Sequence, residues 1–377
     1  MRVLHILNEL KYSGAEIMYV DAAPEFHKLG CELFVVNTME NLGEYSYAFE
    51  EAGYKVFHIP CMFKKGDIVK MVKWIMEMRK LIRDNKIDLI HIHAARLRFV
   101  MAFVAWSVGV PSIYTFHNVF KPNSSLGYFI LYMQRIIVRY VFHCKMQTIS
   151  DSVYINEKNI WKNETKLVYN WYGKQRFYPR DVSEYIQQRK LLGINEGDLV
   201  IISVGGCNEI KRHSDIIKAI PLLKEKGPRV IYLHLGEGKS LDEEKLLTSN
   251  LGIDNDVKFI GNRKNVRDFL VASDIYVMPS KHEGMPITTI EAMACKIPCV
   301  LYDVPGLRDF NKEKECSLLT KESPNELAEA IYKLWRNPNE QNRLTDNAFN
   351  FISKYFDLDK QIKKIYTLYT EAVEGHN

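Results

Sequence analysis

The sequence lacks a hydrophobic run long enough to cross a bilayer. The longest stretch of low charge, Leu126–Phe142, has 17 residues and contains Arg135 and Arg139, whereas a spanning helix needs about 20 apolar residues. The opening Met1–Leu7 resembles a strand and no small-residue cleavage site follows it, so we expect no signal peptide. With 47% hydrophobic and 26% charged residues, the composition is that of a soluble globular protein and not of a disordered or fibrous chain.

Recognised cysteine and glycine motifs are also missing. The seven cysteines fit no zinc spacing, so we predict reduced, packing cysteines in a cytoplasmic protein. No G-x-G-x-x-G follows the first strand, which argues against a dinucleotide cofactor. Gly236–Ser240 ends like a P-loop, but Leu233 stands where that motif requires its first glycine.

Acidic residues are absent from residues 89–150, which contain six Lys or Arg. Residues 1–175 carry 22 basic and 16 acidic side chains, a net charge of +6, whereas residues 176–377 carry 29 and 30, a net charge of −1. We infer that the first half faces something anionic, or at least meets no cationic partner.

Short apolar runs alternate with helical patterns, which predicts βαβ units and parallel sheets. One series runs from Val3–Leu7 to Lys166–Asn170, and a second from Leu199–Gly205 to Cys299–Tyr302. We predict two doubly wound Rossmann-like α/β domains that face a cleft, at 1–175 and 176–355, followed by a helical tail. The tail helix, residues 356–377, is expected to pack back on the N-terminal domain.

A second-half segment, Pro279–Ala294, follows a strand and opens a helix. Pro286 suits the first helical position, so the N–H groups of Ile287 and Thr288 would be free to bind a phosphate. Glu283 and Glu291 flank this point and suit sugar hydroxyls, because carboxylates repel phosphate. The alternative is an exposed loop glutamate and an exposed helix glutamate, which is the usual fate of this residue.

Several segments together resemble the retaining glycosyltransferases of the GT-B fold in glycosyltransferase family 4 (group 1). The resemblance covers roughly residues 1–310 in the family order. The segments are Asn8–Glu16, Asp88–His93, Tyr114–Asn118, Val168–Asn170, Phe177–Pro179, Ser203–Lys211, Gly236–Gly238, Val257–Gly261 and Ala272–Ala294.

The resemblance implies a role for each matching residue. Glu283 would contact the hydroxyls of the donor sugar and His117 would lie at the reaction centre, and these are the predicted catalytic residues. Lys211 would supply positive charge to the donor diphosphate. The remaining predicted donor-binding residues surround the diphosphate, the ribose and the base: Gly14, Asn262, Arg263, Gly284, Met285, Pro286, Ile287 and Glu291. The family typically needs no metal, so we predict no metal ligand and no cofactor beyond the nucleotide-sugar substrate.

The sequence departs from the family pattern at one charged position. Gly206 stands where an arginine commonly follows the second-domain strand, so one cation for the diphosphate is missing. Arg212, Arg263 and Lys264 are the candidates to replace it. Ser13, Trp171 and Met285 are smaller departures.

Other polar motifs have simpler interpretations. His91 and His93 alternate on a strand without a carboxylate or cysteine at partner spacing, so we predict a structural role for both. Asp254–Asp256 spells the Asp-x-Asp metal motif of another glycosyltransferase fold, but it precedes a strand in a polar stretch and is predicted to form a turn.

Leu126–Phe142 leaves two interpretations open. A buried helix is the simpler one. The second is peripheral contact with anionic lipid, because the segment lies in the acid-free region and places Arg135 and Arg139 on one helix face. Since acceptors in this family are often lipid-linked, we predict weak membrane association at the inner face of the cytoplasmic membrane.

The resemblance predicts a retaining, metal-independent glycosyltransferase for a glycan or lipid-linked acceptor in bacterial surface polysaccharide synthesis. The donor base stays open between uridine and guanosine, and no nucleic-acid partner is expected. Two alternatives remain. One is a nucleotide-sugar epimerase of the same fold, which would act on the donor alone, and the other is a basic, non-enzymatic binding protein.

Overall fold

The structure is a computed structural model that describes residues 1–61, 67–122 and 124–376. The chain divides into two compact units. The first comprises Met1–Asn170 and the C-terminal segment from Leu358, and the second comprises Trp171–Asp357. The sequence prediction placed these boundaries at 175/176 and 355/356. The first boundary lies earlier because Trp171 and Tyr172 are buried in the second unit, where Tyr172 forms a β-bridge with Asp357.

The first unit contains a seven-stranded parallel sheet with the order β3-β2-β1-β4-β5-β6-β7. Its inner strands, at residues 2–7, 32–37, 89–92 and 112–116, are almost completely buried, as expected for a parallel sheet covered on both faces, whereas the edge strands at 55–58 and 166–167 are partly exposed. The strands are β1 (Arg2–Leu7), β2 (Glu32–Asn37), β3 (Lys55–His58), β4 (Leu89–Ile92), β5 (Ser112–Phe116), β6 (Lys145–Thr148) and β7 (Lys166–Leu167).

Helices connect these strands. They are α1 (Gly14–Lys28), α2 (Ser46–Glu51), α3 (Ile68–Asp84), α4 (Arg98–Ser107), α5 (Ser125–Ile136) and α6 (Asp151–Asn159). A 3₁₀ turn at Ala95–Leu97 precedes α4, and a π-helical turn at Ile137–Val141 extends α5. Side-chain caps fix three of the helix starts, since Asp67, Ser124 and Ser150 accept hydrogen bonds from the backbone N–H groups of Lys70, Gly127 and Val153.

The second unit contains a six-stranded parallel sheet with the order β10-β9-β8-β11-β12-β13. Its strands are β8 (Leu199–Val204), β9 (Val230–Leu235), β10 (Val257–Gly261), β11 (Ile275–Met278), β12 (Cys299–Tyr302) and β13 (Leu318–Thr320). The sequence analysis missed β13. Three residues give too little alternation to signal a strand, and Leu318–Thr320 is held by pairing with β12.

The helices of the second unit begin with α7 (Val182–Leu191), where Asp181 and Glu184 form a capping box. The others are α8 (His213–Lys224), α9 (Leu241–Asn250), α10 (Val266–Ala272), α11 (Ile287–Ala294), α12 (Pro324–Trp335) and α13 (Pro338–Tyr355), with a 3₁₀ turn at Arg308–Asn311. Proline begins both α12 and α13, because its missing N–H costs nothing at a helix start.

The last helix, α14 (Leu358–Glu374), belongs to the first unit. The Tyr369 hydroxyl lies 2.7 Å from His91 Nδ1 on β4, and the Tyr369 ring stacks on Phe26 of α1. The two doubly wound domains and the helical C-terminus agree with the predicted fold class.

Helix α5 differs from the buried helix that the sequence favoured. Four of its apolar side chains are exposed, several others are half-buried, and its one buried residue is Arg135. The exposed residues, here called the apolar row of α5, recur at helical spacing and continue into the π-helical turn: Leu126, Phe129, Ile130, Met133, Tyr140 and Val141. Among the described residues, no helix combines the length and apolar character needed to cross a bilayer.

The sequence suggested that Arg135 lies on a basic outer face of the helix, but the structure contradicts this. Its guanidinium donates two hydrogen bonds of 2.8 Å to the Glu157 carboxylate and lies over the Trp161 ring. Arg139 is half-buried and lies 3.4 Å from the Glu164 carboxylate. The two arginines were predicted to lie on one helix face. Arg135 instead points inward and pairs with the buried carboxylate of Glu157, because a buried charge needs a partner.

Candidate functional site

The candidate site of the second unit lies where the strand order of its sheet reverses. β8 pairs with β9 on one side and β11 on the other, so the loops that follow β8 and β11 diverge at the carboxyl end of the sheet. Ligands of doubly wound sheets bind at such switch points. The two loops are joined directly, because the Lys281 N–H donates to the Ile210 carbonyl at 2.8 Å.

Lys211 and Glu283 meet at this point. The Lys211 ammonium donates to Glu283 Oε1 at 2.7 Å, and their side chains are 20% and 11% exposed. The structure therefore brings together the two residues that the sequence assigned to diphosphate and sugar. A short, partly shielded pair of this kind is a charge-assisted hydrogen bond.

A third loop holds Glu283 in place. The Glu283 N–H donates to the Pro305 carbonyl at 3.0 Å. Gly306 follows with φ +84°, and a Cβ at this position would lie 2.3 Å from the Glu283 carbonyl oxygen. Only glycine allows this approach, so the turn after β12 fixes the backbone that carries the carboxylate.

Helix α11 begins one residue later than predicted. Pro286 was expected at the first helical position, but its backbone is extended (φ −71°, ψ 121°) and it precedes the helix as the N-cap residue. The Pro286 carbonyl accepts from the Ile290 N–H, which starts the helical pattern at Ile287. Among the described residues, the N–H groups of Ile287 and Thr288 have no acceptor, as predicted for an anion-binding helix end.

The segment Gly284–Ile287 is buried, and side-chain hydroxyls anchor the helix behind it. Thr288 Oγ1 donates to the Val204 carbonyl at 3.2 Å and lies 2.9 Å from the Tyr276 hydroxyl. These contacts attach the helix to β8 and β11. The free N–H groups are therefore held rigidly at the switch point.

Glu291 lies within α11 and is 5% exposed. The Arg176 guanidinium lies 3.9 Å from its carboxylate. Asn262 and Arg263 follow β10 and are exposed. In the described part of the chain, neither makes a hydrogen bond or an ion pair with Lys211 or Glu283, so the structure does not join them to that pair.

The position of the missing arginine is also clear. Gly206, which stands where the family commonly has an arginine, is exposed in the loop after β8. Of the three residues that could replace this positive charge, Arg212 already forms ion pairs. The Arg212 guanidinium contacts Glu322 at 2.6 Å and Asp215 at 3.1 Å. Within the described ranges Arg263 has no carboxylate partner, which leaves it available for an added anion.

In the first unit, Gly14 is exposed and begins α1 after the loop that follows β1. The Ser13 hydroxyl donates to the Glu16 carboxylate, and burial raises the pKa of Glu16. Sequence reasoning gave Glu16 no role. The signal was its place in the first turn of the helix that opens at Gly14, where a carboxylate interacts favourably with the helix dipole.

His117, just after β5, ends a chain of imidazoles. His5 Nδ1 lies 3.1 Å from His93 Nε2, and His93 Nδ1 lies 3.1 Å from His117 Nε2. Removal from water lowers the pKa of His117 to about 4 and that of His5 to about 3. His117 is therefore neutral at pH 7 and suits hydrogen bonding to a hydroxyl better than donating a proton.

His91 has the structural role expected for it. One of its nitrogens lies 2.7 Å from the Tyr369 hydroxyl and the other 2.7 Å from Thr115 Oγ1. The sequence analysis missed His5, although its register opposite His91 on the neighbouring strand places it in the cluster. Asp254–Asp256 forms the predicted turn, and Lys224 contacts Asp256 at 2.6 Å.

The second-unit site can bind an anion next to a polyol. The helix end and Lys211 offer positive potential, whereas Glu283 and Glu291 offer acceptors for hydroxyl groups. Positive groups held at fixed positions stabilise charge that develops on a departing phosphate.

Two family models match the chain. The model described as glycosyl transferases group 1 matches residues 184–351, and the model described as glycosyltransferase family 4 matches residues 12–149. Together they cover most of both units.

Individual relatives match over most of their length. The chain is 22% identical over 360 residues to UDP-Gal:alpha-D-GlcNAc-diphosphoundecaprenol alpha-1,3-galactosyltransferase of Escherichia coli, covering 93% of this chain and 92% of that protein. It is 23% identical over 311 residues to the putative glycosyltransferase EpsF of Bacillus subtilis, covering 80% and 79%. Its fold is similar to the crystal structure of Anabaena Alr3699/HepE in complex with UDP and glucose, with TM-score 0.84, 20% identity and coverage of 98% and 99%.

Proposed function

The chain belongs to the group 1 glycosyltransferases of family 4, and from this premise we propose that it transfers a sugar from a uridine-diphosphate donor to a hydroxyl of a lipid-linked or glycan acceptor. The observation that carries the donor assignment is the Lys211–Glu283 pair beside the free N–H groups of α11. Within one site it offers positive charge for a diphosphate and a carboxylate for sugar hydroxyls.

The choice of uridine rests on the relatives. The Escherichia coli protein is named for a UDP-galactose donor, and the Anabaena structure holds UDP and glucose. The exposed Asn262 and Arg263 are the groups that we assign to the base, and the buried Glu291 is assigned to ribose hydroxyls.

We further propose that the reaction retains anomeric configuration and needs no metal at the diphosphate. Lys211 and the α11 end stabilise the charge of the leaving diphosphate, which a divalent cation does in other enzymes. Glu283 is already bound to an ammonium, so it suits orienting the sugar better than attacking it. A donor phosphate oxygen then takes the acceptor proton on the face from which the leaving group departs.

The acceptor and the place of action are assigned from the first unit and the relatives. The Escherichia coli relative is named for a diphosphoundecaprenol-linked acceptor, and this chain exposes the apolar row of α5 in a unit of net positive charge. An exposed apolar helix face in a unit of net positive charge suits the interface of an anionic membrane. We propose action at the inner face of the cytoplasmic membrane in surface polysaccharide synthesis.

A thermal-shift panel of UDP-, GDP- and ADP-sugars tests the donor. A ligand that binds only the native state raises the melting temperature by mass action, so the true donor stands out from the others. Incubation of that donor alone separates transfer from epimerisation, because an epimerase converts it without an acceptor. An unchanged melting temperature with every nucleotide sugar contradicts the proposal.

A further inference from the structure

Four buried metal-ligating residues converge in the second unit, outside the predicted donor site. They come from four different segments: Cys207 from the loop after β8, His213 from the start of α8, His234 from β9 and Glu244 from α9. One ligand atom from each lies within 4.8 Å of all the others. Each residue is at most 4% exposed.

The distances within this cluster suit a small ion. Cys207 Sγ lies 3.8 Å from His234 Nε2, which lies 2.9 Å from Glu244 Oε2. His213 Nδ1 lies 3.6 Å from the other oxygen of the same carboxylate, too far for a hydrogen bond. In a tetrahedral zinc site with metal–ligand bonds of about 2.0–2.3 Å, neighbouring ligand atoms are separated by roughly 3–4 Å.

Three of the four imidazole nitrogens of the cluster lack hydrogen-bond partners among the described residues. They are both ring nitrogens of His213 and His234 Nδ1, although both residues are fully buried. His91, which is equally buried in the first unit, has a partner for each nitrogen. Buried polar atoms without partners are rare in native proteins, and an unrecognised ion is one established reason for them. Of the three nitrogens, His213 Nδ1 is the one that lies near the Glu244 carboxylate and that an ion in the cluster would bind.

The chemistry of the four donors selects the ion. A thiolate and two imidazoles favour zinc over the hard cations magnesium and calcium, and a carboxylate is a common fourth zinc ligand. The ionised Cys207 and Glu244 carry two negative charges together, which one Zn²⁺ neutralises. This balance offsets the cost of burying the carboxylate and the thiolate.

We propose that Cys207, His213, His234 and Glu244 form a structural zinc site. Four protein ligands fill a tetrahedral ion and leave no position for substrate, which is the arrangement of structural and not catalytic zinc. The spacing of six and ten residues within the pairs 207–213 and 234–244 matches no short motif. For that reason the sequence alone pointed to a packing cysteine.

The site gives the donor loop a second anchor. Lys211 lies two residues before His213 in the segment that Cys207 begins. The Cys207 N–H donates to the Glu237 carbonyl, and a Cβ on Gly238 would lie 2.3 Å from the Cys207 carbonyl oxygen. Zinc would join the loop that carries Lys211 to β9 and α9, the elements on either side of that turn, through His234 and Glu244 and without touching the diphosphate.

The first test is the metal content of the untagged protein. Elemental analysis of the purified full chain is expected to find about one zinc per chain, and Cys207→Ser to lower this at least tenfold. The matched control is Cys299→Ser, because Cys299 is also a buried thiol of the second unit but lies outside the cluster. Equal zinc content in wild type and Cys207→Ser overturns the proposal.

Cobalt substitution of the wild-type chain covers the case in which Cys207→Ser does not fold. Chelator-treated protein that keeps its circular dichroism spectrum is titrated with Co²⁺. The expected result is one equivalent bound, with the visible bands of tetrahedral cobalt and a thiolate-to-cobalt band. A folded, metal-free protein that binds no cobalt overturns the proposal.

Discussion

Lys211 Nζ lies 2.7 Å from Glu283 Oε1, although 72 residues separate the two in the chain. The contact depends on adjacent strands β8 and β11, whose loops are joined by the Lys281–Ile210 hydrogen bond. In the absence of the donor, the Lys211 ammonium and the Glu283 carboxylate are ion-pair partners of each other. A bound diphosphate gives the ammonium a second anion, and sugar hydroxyls give the carboxylate new hydrogen-bond donors.

Glu283→Gln tests the role of the carboxylate in transfer. The amide keeps the shape but loses the charge that orients the sugar, so we expect kcat/KM to fall roughly 100- to 1,000-fold, the range for removing one preorganised group. The measurement is the initial rate with the donor identified by thermal shift. The matched control is Glu209→Gln, an exposed glutamate in the loop of Lys211, which should keep the wild-type rate. Full activity in Glu283→Gln removes the proposed role.

Lys211→Met tests whether Lys211 binds the diphosphate of the donor and Glu283 binds its sugar. Loss of a hydrogen bond to a charged group costs about 1.5–3 kcal/mol, so the affinity for the free nucleoside diphosphate should fall about 10- to 100-fold. Glu283→Gln should keep that affinity and weaken only the nucleotide sugar. Calorimetric titration of both variants with both ligands measures this split. Equal losses for the two ligands in both variants would contradict the separate roles.

The sequence predicted most of the strands, the two domains and the start of α11, because each depends on residues that are close together in the chain. Pro286 was misplaced by one residue, since proline is accepted both at the N-cap and at the first helical position. The inward orientation of Arg135 could not be predicted from the sequence, because it depends on Glu157, which lies 22 residues further along the chain in a different helix. The imidazole chain from His5 to His117 likewise follows from register between strands, which periodicity does not determine.

The buried histidines of the first unit make stability depend on pH. Burial holds the pKa of His5 at about 3 and of His117 at about 4, and it lowers the pKa of His91 and His93 well below 6.5. The unfolded chain binds protons near pH 6.5, whereas the folded chain does not. Stability is therefore complete above about pH 6.5 and is lost as the pH falls towards 4, by up to about 1.4 kcal/mol per pH unit for each histidine.

Urea unfolding between pH 7.5 and 5 measures this loss. His117→Asn should reduce the slope by the contribution of one histidine, whereas His376→Gln, at an exposed position, should leave it unchanged. A free energy of unfolding that stays constant from pH 7 to 5 would show that these imidazoles are not held neutral.

The apolar row of α5 tests membrane association. Phe129 and Ile130 are 59% and 48% exposed, and their replacement together by glutamine should lower the vesicle-bound fraction at least about tenfold, because each loses part of its transfer energy of about 1.5–3 kcal/mol. Co-sedimentation with anionic vesicles is the measurement. Leu246→Gln, at a 63% exposed leucine of α9 in the second unit, is the control. Binding that does not depend on anionic lipid would contradict the proposed contact.

Metal independence at the diphosphate is tested by adding EDTA to the running assay. We expect the rate to persist, because Lys211 and the N–H groups of α11 supply fixed positive charge where a magnesium ion would otherwise be required. Zinc content is measured in the same sample, since the buried cluster around Cys207 is a separate site. A rate that collapses while zinc stays bound and that recovers with Mg²⁺ would show that the reaction needs a metal at the donor. A rate that falls in proportion to the loss of zinc would instead indicate that the zinc site is needed to hold the Lys211 loop in place.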